Sequence, residues 1–149
     1  MRFWDSSAVL PLVVRERTTD AARALIRSDA AVVVWWSTQV ECASALARLE
    51  RGAAFTATDM AVAIASLSRL ASAWHEIEAS DLLREWAVRL VRVHPLRAAD
   101  AMQLAAAIVA AEMRPSGLEF VTADRRLAEA AAREGFLVRM LETLEPSPA

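Results

Sequence analysis

The sequence predicts a single α/β domain with a central parallel sheet of four to five strands flanked by about seven helices. Short apolar runs alternate along the chain with longer segments of helical periodicity, a pattern typical of βαβ units. Residues 31–35 are Ala-Val-Val-Val-Trp, a continuous apolar run that suits a strand buried on both faces of a parallel sheet. A length of 149 residues and a hydrophobic content of 56% are sufficient for one core.

The first half of the chain contains two predicted strands and four predicted helices. The strands cover residues 2–4, ending at Asp5, and residues 31–35. Ser6 and Ser7 open the first helix, which we expect over residues 8–15 with Pro11 tolerated in its first turn. Ser37 or Thr38 caps the third helix and Gly52 ends it. The remaining helices are predicted at 19–28, 38–51 and 56–73.

The second half continues the alternation after an ambiguous segment. Residues 74–79 match neither a helix nor a strand pattern. Ser80 or Asp81 caps the next helix, which ends near Val93. An Ala- and Leu-rich helix at 97–112, a turn at 114–117, strands at 118–122 and 136–140 and a helix at 125–134 complete the prediction. We place the domain at residues 1–142 and expect a flexible, frayed tail over residues 143–149.

The composition excludes several classes of protein. All 17 basic residues are arginines, which excludes GxxxxGK phosphate loops and Schiff-base enzymes because both require lysine. Three glycines are too few for a glycine-rich nucleotide loop. The single cysteine, Cys42, allows no internal disulfide, in agreement with a reducing compartment. No apolar run reaches the ~18 residues of a membrane span, and an N-terminus containing Asp5 does not resemble a signal peptide. We therefore expect a cytoplasmic protein with no membrane partner.

Four carboxylates fall where strands end or helices begin. Asp5 follows the first strand, Glu41 lies in the first turn of the helix after the second strand, and Asp124 follows strand 118–122 by two residues. These three acids are expected at one edge of a parallel sheet, and Asp100 joins them if its helix points its N-terminus there. Such a cluster without lysine persists when a divalent cation neutralises it, and oxygen ligands suit Mg²⁺ or Mn²⁺. These metals lower the pKa of a bound water and clamp an in-line phosphodiester displacement.

Each acid also has a purely structural explanation. Asp5 and Asp124 are suitable N-caps for the helices that follow them, and Asp100 complements a helix dipole. The sequence Thr38-x-x-Glu41 matches a capping box, in which Glu41 would bond back to the Thr38 amide and never reach a site. Taken singly, the residues leave both explanations open. Taken together, the four acids favour the cation-binding interpretation.

Four segments of the chain resemble, in order and spacing, the motifs of PIN-domain ribonucleases, and more narrowly those of VapC-type toxins of bacterial toxin–antitoxin pairs. The segments are 3–9 (FWDSSAV), 38–41 (TQVE), 96–105 (LRAADAMQLA) and 120–127 (FVTADRRL). The resemblance covers nearly the whole chain. It implies a five-stranded parallel sheet flanked by helices, RNA cleavage that depends on Mg²⁺ or Mn²⁺, a cognate antitoxin that covers the site, and a homodimer.

Carried onto this sequence, the resemblance implies an acidic site formed by Asp5, Glu41, Asp100 and Asp124, with Asp5 and Asp100 as metal ligands. Ser7 and Thr122 match hydroxyl positions that orient a carboxylate or a ligand water, and they are equally suited to plain capping. Arg97 and Arg125, with Arg126, flank two of the acids and are candidates for binding RNA phosphate, although exposed charges at helix starts need no function. A net charge of −2 leaves the rest of the RNA-binding surface undefined.

Other residues and functions stay open at this level. Trp35 and Trp36 lie near the predicted site edge, where aromatic rings stack on bases, but core or dimer packing is the favoured interpretation. His94 is expected at the surface or half-buried, and Cys42 in the core. A non-catalytic PIN-fold interaction module and a DNA-directed nuclease using the same acids are compatible with the same motifs.

Overall fold

The central sheet has five strands, all of them parallel. The computed structural model describes residues 1–142, so the predicted tail over residues 143–149 lies outside the described residues. The strands are β1 Arg2–Trp4, β2 Val32–Trp35, β3 His75–Ile77, β4 Glu119–Thr122 and β5 Leu137–Met140. Their order across the sheet is β3-β2-β1-β4-β5. The prediction of an α/β fold around a parallel sheet is confirmed.

Seven α-helices accompany the sheet in the described part of the chain, which agrees with the predicted number. They are α1 Ser6–Val13, α2 Thr19–Ser28, α3 Thr38–Arg51, α4 Ala57–Ala71, α5 Asp81–Val93, α6 Ala98–Ala110 and α7 Arg125–Arg133. A 3₁₀ turn, Pro115–Gly117, precedes β4. Within residues 1–142, no helix combines the length and the apolar character that a membrane crossing requires.

The first helix begins earlier than predicted because Asp5 acts as its N-cap. The Asp5 side chain accepts a hydrogen bond from the amide of Ser7, so the helix starts at Ser6 and not at Ala8. Pro11 consequently lies inside α1 and not in its first turn. Since proline lacks an amide hydrogen, it cannot donate the usual helical bond, and α1 ends two residues later at Val13.

The ambiguous segment at residues 74–79 contains the edge strand β3. It pairs with β2 in parallel, with Val33 opposite His75 and Trp35 opposite Ile77. His75 and Glu76 are exposed. A short strand with charged or polar exposed side chains is a common way to protect a sheet edge from pairing with another chain. The same feature removes the apolar pattern by which a strand is recognised in a sequence.

Two apolar clusters pack on opposite faces of the sheet. Successive strand residues point to opposite sides, so Phe3 joins one cluster and Trp4 the other. The Phe3 cluster includes residues of α5, α6 and α7, and the Trp4 cluster includes residues of α1, α2, α3 and α4. The domain is therefore a three-layer α/β/α arrangement. Burial on both faces explains why the β2 sequence is apolar at every position.

Helix α6 packs closely against the sheet through its small side chains. Ala101, Ala105, Ala106 and Ala107 are completely buried, together with Leu104. Alanine lets the helix backbone approach the layer beneath it and also has the highest helix propensity. The exposed beginning of α6 therefore has a fixed position relative to the sheet. Asp100 lies in this first turn.

A hydrogen-bonded group joins the ends of α5 and α7 on the face of the Phe3 cluster. His94, expected at the surface or half-buried, is buried, and its Nε2 lies 2.7 Å from Oε1 of Glu134. Arg89 donates to the other Glu134 oxygen at 2.8 Å. Burial acts to raise the pKa of Glu134, but the hydrogen bonds from His94 and Arg89 outweigh it and hold the pKa below its usual range. The carboxylate form of Glu134 therefore stabilises the fold.

Replacing Glu134 by alanine is expected to lower the free energy of unfolding by about 2 kcal/mol, because hydrogen bonds to a charged group are lost and buried His94 is left without its partner. Because the folded-state pKa of Glu134 is lowered, its contribution is complete above the unfolded-state value near 4.5 and disappears as the pH falls through the folded-state value. Urea denaturation at neutral and acidic pH measures both effects. Glu129→Ala, on an exposed position of α7, is the control; equal stability of the two variants would contradict this account.

Candidate functional site

The four predicted acids lie on four separate elements at the carboxyl edge of the sheet. Asp5 follows β1, Glu41 lies in the first turn of α3 after β2, and Asp124 follows β4 as the N-cap of α7. Strands β2, β1 and β4 are adjacent and parallel, so their carboxyl ends meet at one edge. Asp100 reaches the same edge from α6, because Gln103, one turn further along this helix, donates to Glu41 at 3.0 Å.

Asp5 is the buried member of the group, with 3% of its surface exposed. Its Oδ1 accepts a hydrogen bond from the Ser7 hydroxyl at 2.9 Å, and the Ser7 oxygen lies 3.3 Å from the Thr122 hydroxyl. The amide of Ala123 donates to the Ser7 oxygen at 2.9 Å. Burial raises the pKa of Asp5 to about 7, against the opposing effect of the hydrogen bonds from Ser7 and Thr122. Ser7 and Thr122 thus lie beside the acid where the sequence predicted them.

Glu41 is oriented by side chains from three directions. Its Oε1 accepts from the Ser37 hydroxyl at 2.6 Å, and its Oε2 accepts from the Ser6 hydroxyl at 2.8 Å and from the Gln103 amide at 3.0 Å. The capping-box explanation of Glu41 is wrong, because the N-cap of α3 is Ser37 and both carboxylate oxygens are held by other side chains. The hydroxyl of Thr38 is instead buried and accepts from Gln103 at 3.2 Å.

Asp100 and Asp124 influence each other electrostatically. Burial raises the pKa of Asp100, and the negative charges of Asp124 and Glu41 raise it further, while the Arg97 amide and the Arg126 charge oppose the rise. Asp124 also caps α7, since its Oδ1 accepts from the amides of Arg126 and Leu127 at 2.8 and 3.1 Å. The capping role of Asp124 and its place in the acidic group are therefore compatible.

Gln103 contacts the acidic site, although the segment 96–105 in which it lies predicted no role for it. It lies one helical turn after Asp100 on α6 and is 1% exposed. Its amide nitrogen ties Glu41 and Thr38 to α6, while its Oε1 has no hydrogen-bond partner among the described residues. The sequence signal for its role is a polar side chain within the largely apolar sequence of α6.

The three arginines that flank the acids in the sequence differ in their surroundings. Arg97 is exposed and is the N-cap residue of α6 without a side-chain capping bond. Arg125 borders a separate surface pocket near Glu129 and Glu142. Its neighbour Arg126 carries a positive charge that opposes the rise in the pKa of Asp100. Of these two neighbours, Arg126 is therefore the one whose charge acts on Asp100.

The two tryptophans at the end of β2, Trp35 and Trp36, have different surroundings. Trp35 is buried in the cluster with Phe3, whereas Trp36 is 57% exposed and meets Trp35 edge to face at 6.4 Å between ring centroids. Val40 is exposed close by in sequence. Core packing accounts for Trp35, while the exposed ring of Trp36 remains available for contact with a partner or a base.

A groove of about 510 Å³ opens between α1 and α3 beside the acids. Ser6, Ser7 and Glu41 form part of its lining, so the groove adjoins the side chains that orient two of the carboxylates. Arg48 lines the groove further along α3. Cys42 also contributes to it, but burial and the charges of Glu41 and Asp5 raise the pKa of this thiol to about 12, which leaves it unreactive.

The donor set fits a hard divalent cation by its chemistry. All four acids offer oxygen, and none of them forms an ion pair with an arginine, a histidine or the N-terminus within residues 1–142. Oxygen ligands of this kind suit Mg²⁺ and Mn²⁺. In the same residues, no three histidine, cysteine, aspartate or glutamate side chains already converge as a metal-ligand group. The site is therefore a group of carboxylates without a direct ion-pair partner, and not a finished coordination shell.

Comparison with known proteins supports the fold. No protein-family model matches this chain, and no curated protein matches it. Among solved structures, the chain is similar to the crystal structure of PAE2754 from Pyrobaculum aerophilum. The two are 25% identical in sequence with a TM-score of 0.62, and the match covers 87% of this chain and 83% of the other. The similarity extends over most of both domains.

Proposed function

We propose that this protein is an endoribonuclease that depends on Mg²⁺ or Mn²⁺ and hydrolyses RNA phosphodiester bonds. The observation that carries the proposal is the meeting of Asp5, Glu41, Asp100 and Asp124 at one sheet edge without a compensating ion pair in residues 1–142. The charges of Asp124 and Glu41 act with burial to raise the pKa of Asp100, and a divalent cation bound among these carboxylates would offset their repulsion. The resemblance of the four motifs to PIN-domain ribonucleases supplies the substrate class.

The side chains of the site have separate tasks in this proposal. Asp5 and Asp100 bind the cation, and Glu41 and Asp124 complete the pocket directly or through water. Ser7 and Thr122 fix the orientation of Asp5, just as Ser6, Ser37 and Gln103 fix that of Glu41. When bound, Mg²⁺ or Mn²⁺ would lower the pKa of a water and stabilise charge on the phosphate. We expect products with a 5′-phosphate and a 3′-hydroxyl.

The VapC resemblance extends the proposal to the biological setting. We propose that the nuclease is the cytoplasmic toxin of a toxin–antitoxin pair, that its antitoxin covers the acidic site, and that the chain forms a homodimer. The exposed side chains of Val88 and Val91 on α5 border a small apolar pocket shared with Met102, which supports a protein interface there. A small reading frame directly upstream, encoding a protein that binds this one and inhibits it, is the expected finding.

Cleavage of single-stranded RNA by the purified protein tests the proposal. We expect cleavage with Mg²⁺ or Mn²⁺, no cleavage in excess EDTA, and recovery when the metal is restored. A single-stranded DNA of the same sequence, offered in competition, decides the alternative of a DNA-directed nuclease. Cleavage that persists in EDTA, or preferential cleavage of DNA, would contradict the proposal.

A further inference from the structure

The groove between α1 and α3 begins at the acidic site and leads away from it. Ser6 lies at its beginning and donates to Glu41 at 2.8 Å, and Ser7, which donates to Asp5 at 2.9 Å, lies beside it. Because the groove and the acids share these side chains, a chain bound at the carboxylates and continuing along the surface can enter the groove directly. The groove is therefore an extension of the site and not a separate cavity.

One face of α3 forms a wall of the groove. Glu41, Ser44, Ala45 and Arg48 follow one another at the spacing of helical turns and all line the groove. Arg48 follows Glu41 by seven positions, which corresponds to about 10 Å along the helix axis. The wall therefore carries a negative group at the site and a positive group at some distance from it.

Arg48 is available to a ligand. Its side chain is exposed, and its Nη1 donates to the Ser44 hydroxyl at 3.3 Å. It makes no ion pair with any residue in the part of the chain that the structure describes. A guanidinium group without an ion-pair partner is suited to binding phosphate, because it presents several donors in one plane. The bond to Ser44 limits the directions that the guanidinium explores.

The rest of the groove lining is suited to the less polar parts of a nucleotide. Leu10 and Val40 line the groove together with Ala45, and the serine hydroxyls lie among them. Apolar walls accept the face of a base or ribose, while hydroxyl groups bond to sugar and phosphate oxygens. An acidic peptide would meet the negative charge of Glu41 at the site end. The scissile phosphate of a nucleotide strand would be held there by the divalent cation of the proposed function, with a further phosphate toward Arg48.

We propose that the α1–α3 groove binds the RNA strand on one side of the scissile phosphate, and that Arg48 contacts a backbone phosphate of that strand. This inference rests on the proposed nuclease function, since it assigns the path of the substrate away from the same site. Arg48 is a binding residue in this proposal and takes no part in bond cleavage. Its contribution is independent of base sequence, because phosphate contacts carry no direct base information.

The test compares Arg48→Gln with Arg51→Gln, a control on an exposed arginine of α3 that does not line the groove. A labelled single-stranded RNA is used for binding by fluorescence anisotropy in EDTA and for cleavage in Mn²⁺. Losing one phosphate contact is expected to weaken binding about fivefold near 0.1 M salt and to reduce the salt-dependence slope by about 0.7. We expect KM to rise in parallel, kcat to stay unchanged, and Arg51→Gln to behave as wild type.

RNA binding and RNA cleavage, measured separately, distinguish a failure of the groove proposal from a failure of the nuclease proposal. Cleavage by wild type with unchanged binding and KM in Arg48→Gln would overturn the groove assignment and leave the nuclease standing. RNA binding that Arg48→Gln weakens, without cleavage by wild type, would overturn the nuclease and leave the groove as an RNA interface. Wild-type protein that neither binds nor cleaves RNA would overturn both. A loss of kcat alone in Arg48→Gln would also contradict the binding role.

Discussion

Replacing Asp100 by asparagine is expected to lower kcat/KM for RNA cleavage by at least about 100-fold, the upper range for residues that only support metal ligands. Asp100 is half-buried at the start of α6, where burial and then the charges of Asp124 and Glu41 raise its pKa. Asparagine keeps the shape of the side chain but loses the charge that would attract a divalent cation. The initial rate of cleavage of a labelled RNA in Mn²⁺ measures the effect.

The control for this variant is Asp81→Asn. Asp81 is likewise a first-turn residue, on α5, but it is exposed, and its partner is Arg84 at 2.6 Å on the same helix. Its replacement is expected to leave cleavage within about twofold of wild type, because an exposed ion pair contributes little to stability. Activity of Asp100→Asn equal to that of Asp81→Asn would remove Asp100 from the site.

Replacing Asp5 by asparagine is expected to stabilise the metal-free protein by about 2 kcal/mol at about pH 8, because the cost of the buried charge, roughly 4 kcal/mol, exceeds the 1–2 kcal/mol of a lost hydrogen bond. Burial raises the pKa of Asp5 from 3.8 to about 7. The folded protein therefore retains a proton that the unfolded chain releases, and the contribution of Asp5 to stability falls as the pH rises from 3.8 to about 7.

The pH dependence makes this prediction specific to Asp5. Near pH 5 the buried carboxyl is protonated in the fold, so the advantage of asparagine disappears. In EDTA near pH 8, the melting temperature of Asp5→Asn should be about 6 °C above that of wild type. Near pH 5 the two melting temperatures should be equal. Asp20→Asn, on an exposed residue of α2, should change neither value. A destabilised Asp5→Asn at about pH 8 would contradict the inferred cost of this charge.

Much of the fold follows from local patterns in the sequence. The helices α2, α3 and α5 have their predicted boundaries, because caps such as Ser80, end signals such as Gly52 and an apolar face agree with one another. The fully apolar sequence of β2 correctly predicted burial on both faces. Strand β3 could not be predicted, since its pairing with β2 is a long-range contact and its exposed His75 and Glu76 show no strand pattern.

The placement of the candidate acids at one sheet edge could be predicted from the sequence, but the hydrogen bonds that orient them could not. Asp5, Glu41 and Asp124 follow from the rule that parallel strands share one carboxyl edge. The hydrogen bonds of Gln103 and Ser6 to Glu41 join residues far apart in the sequence, so spacing could not reveal them. The same limit explains the incorrect capping box, because two of the donors to Glu41, Ser6 and Gln103, reach it only in the folded chain.

Titration with Mn²⁺ by isothermal calorimetry tests the central claim most directly, namely that the four carboxylates form a divalent-cation site. We predict saturable binding by wild type and a loss of that binding in Asp5→Asn, measured near pH 8, where the wild-type carboxyl is ionised. The Asp20→Asn variant should bind as wild type does. Absence of Mn²⁺ binding by folded wild-type protein would contradict the claim and favour a non-catalytic interaction module, and binding of equal strength in Asp5→Asn would place the cation elsewhere.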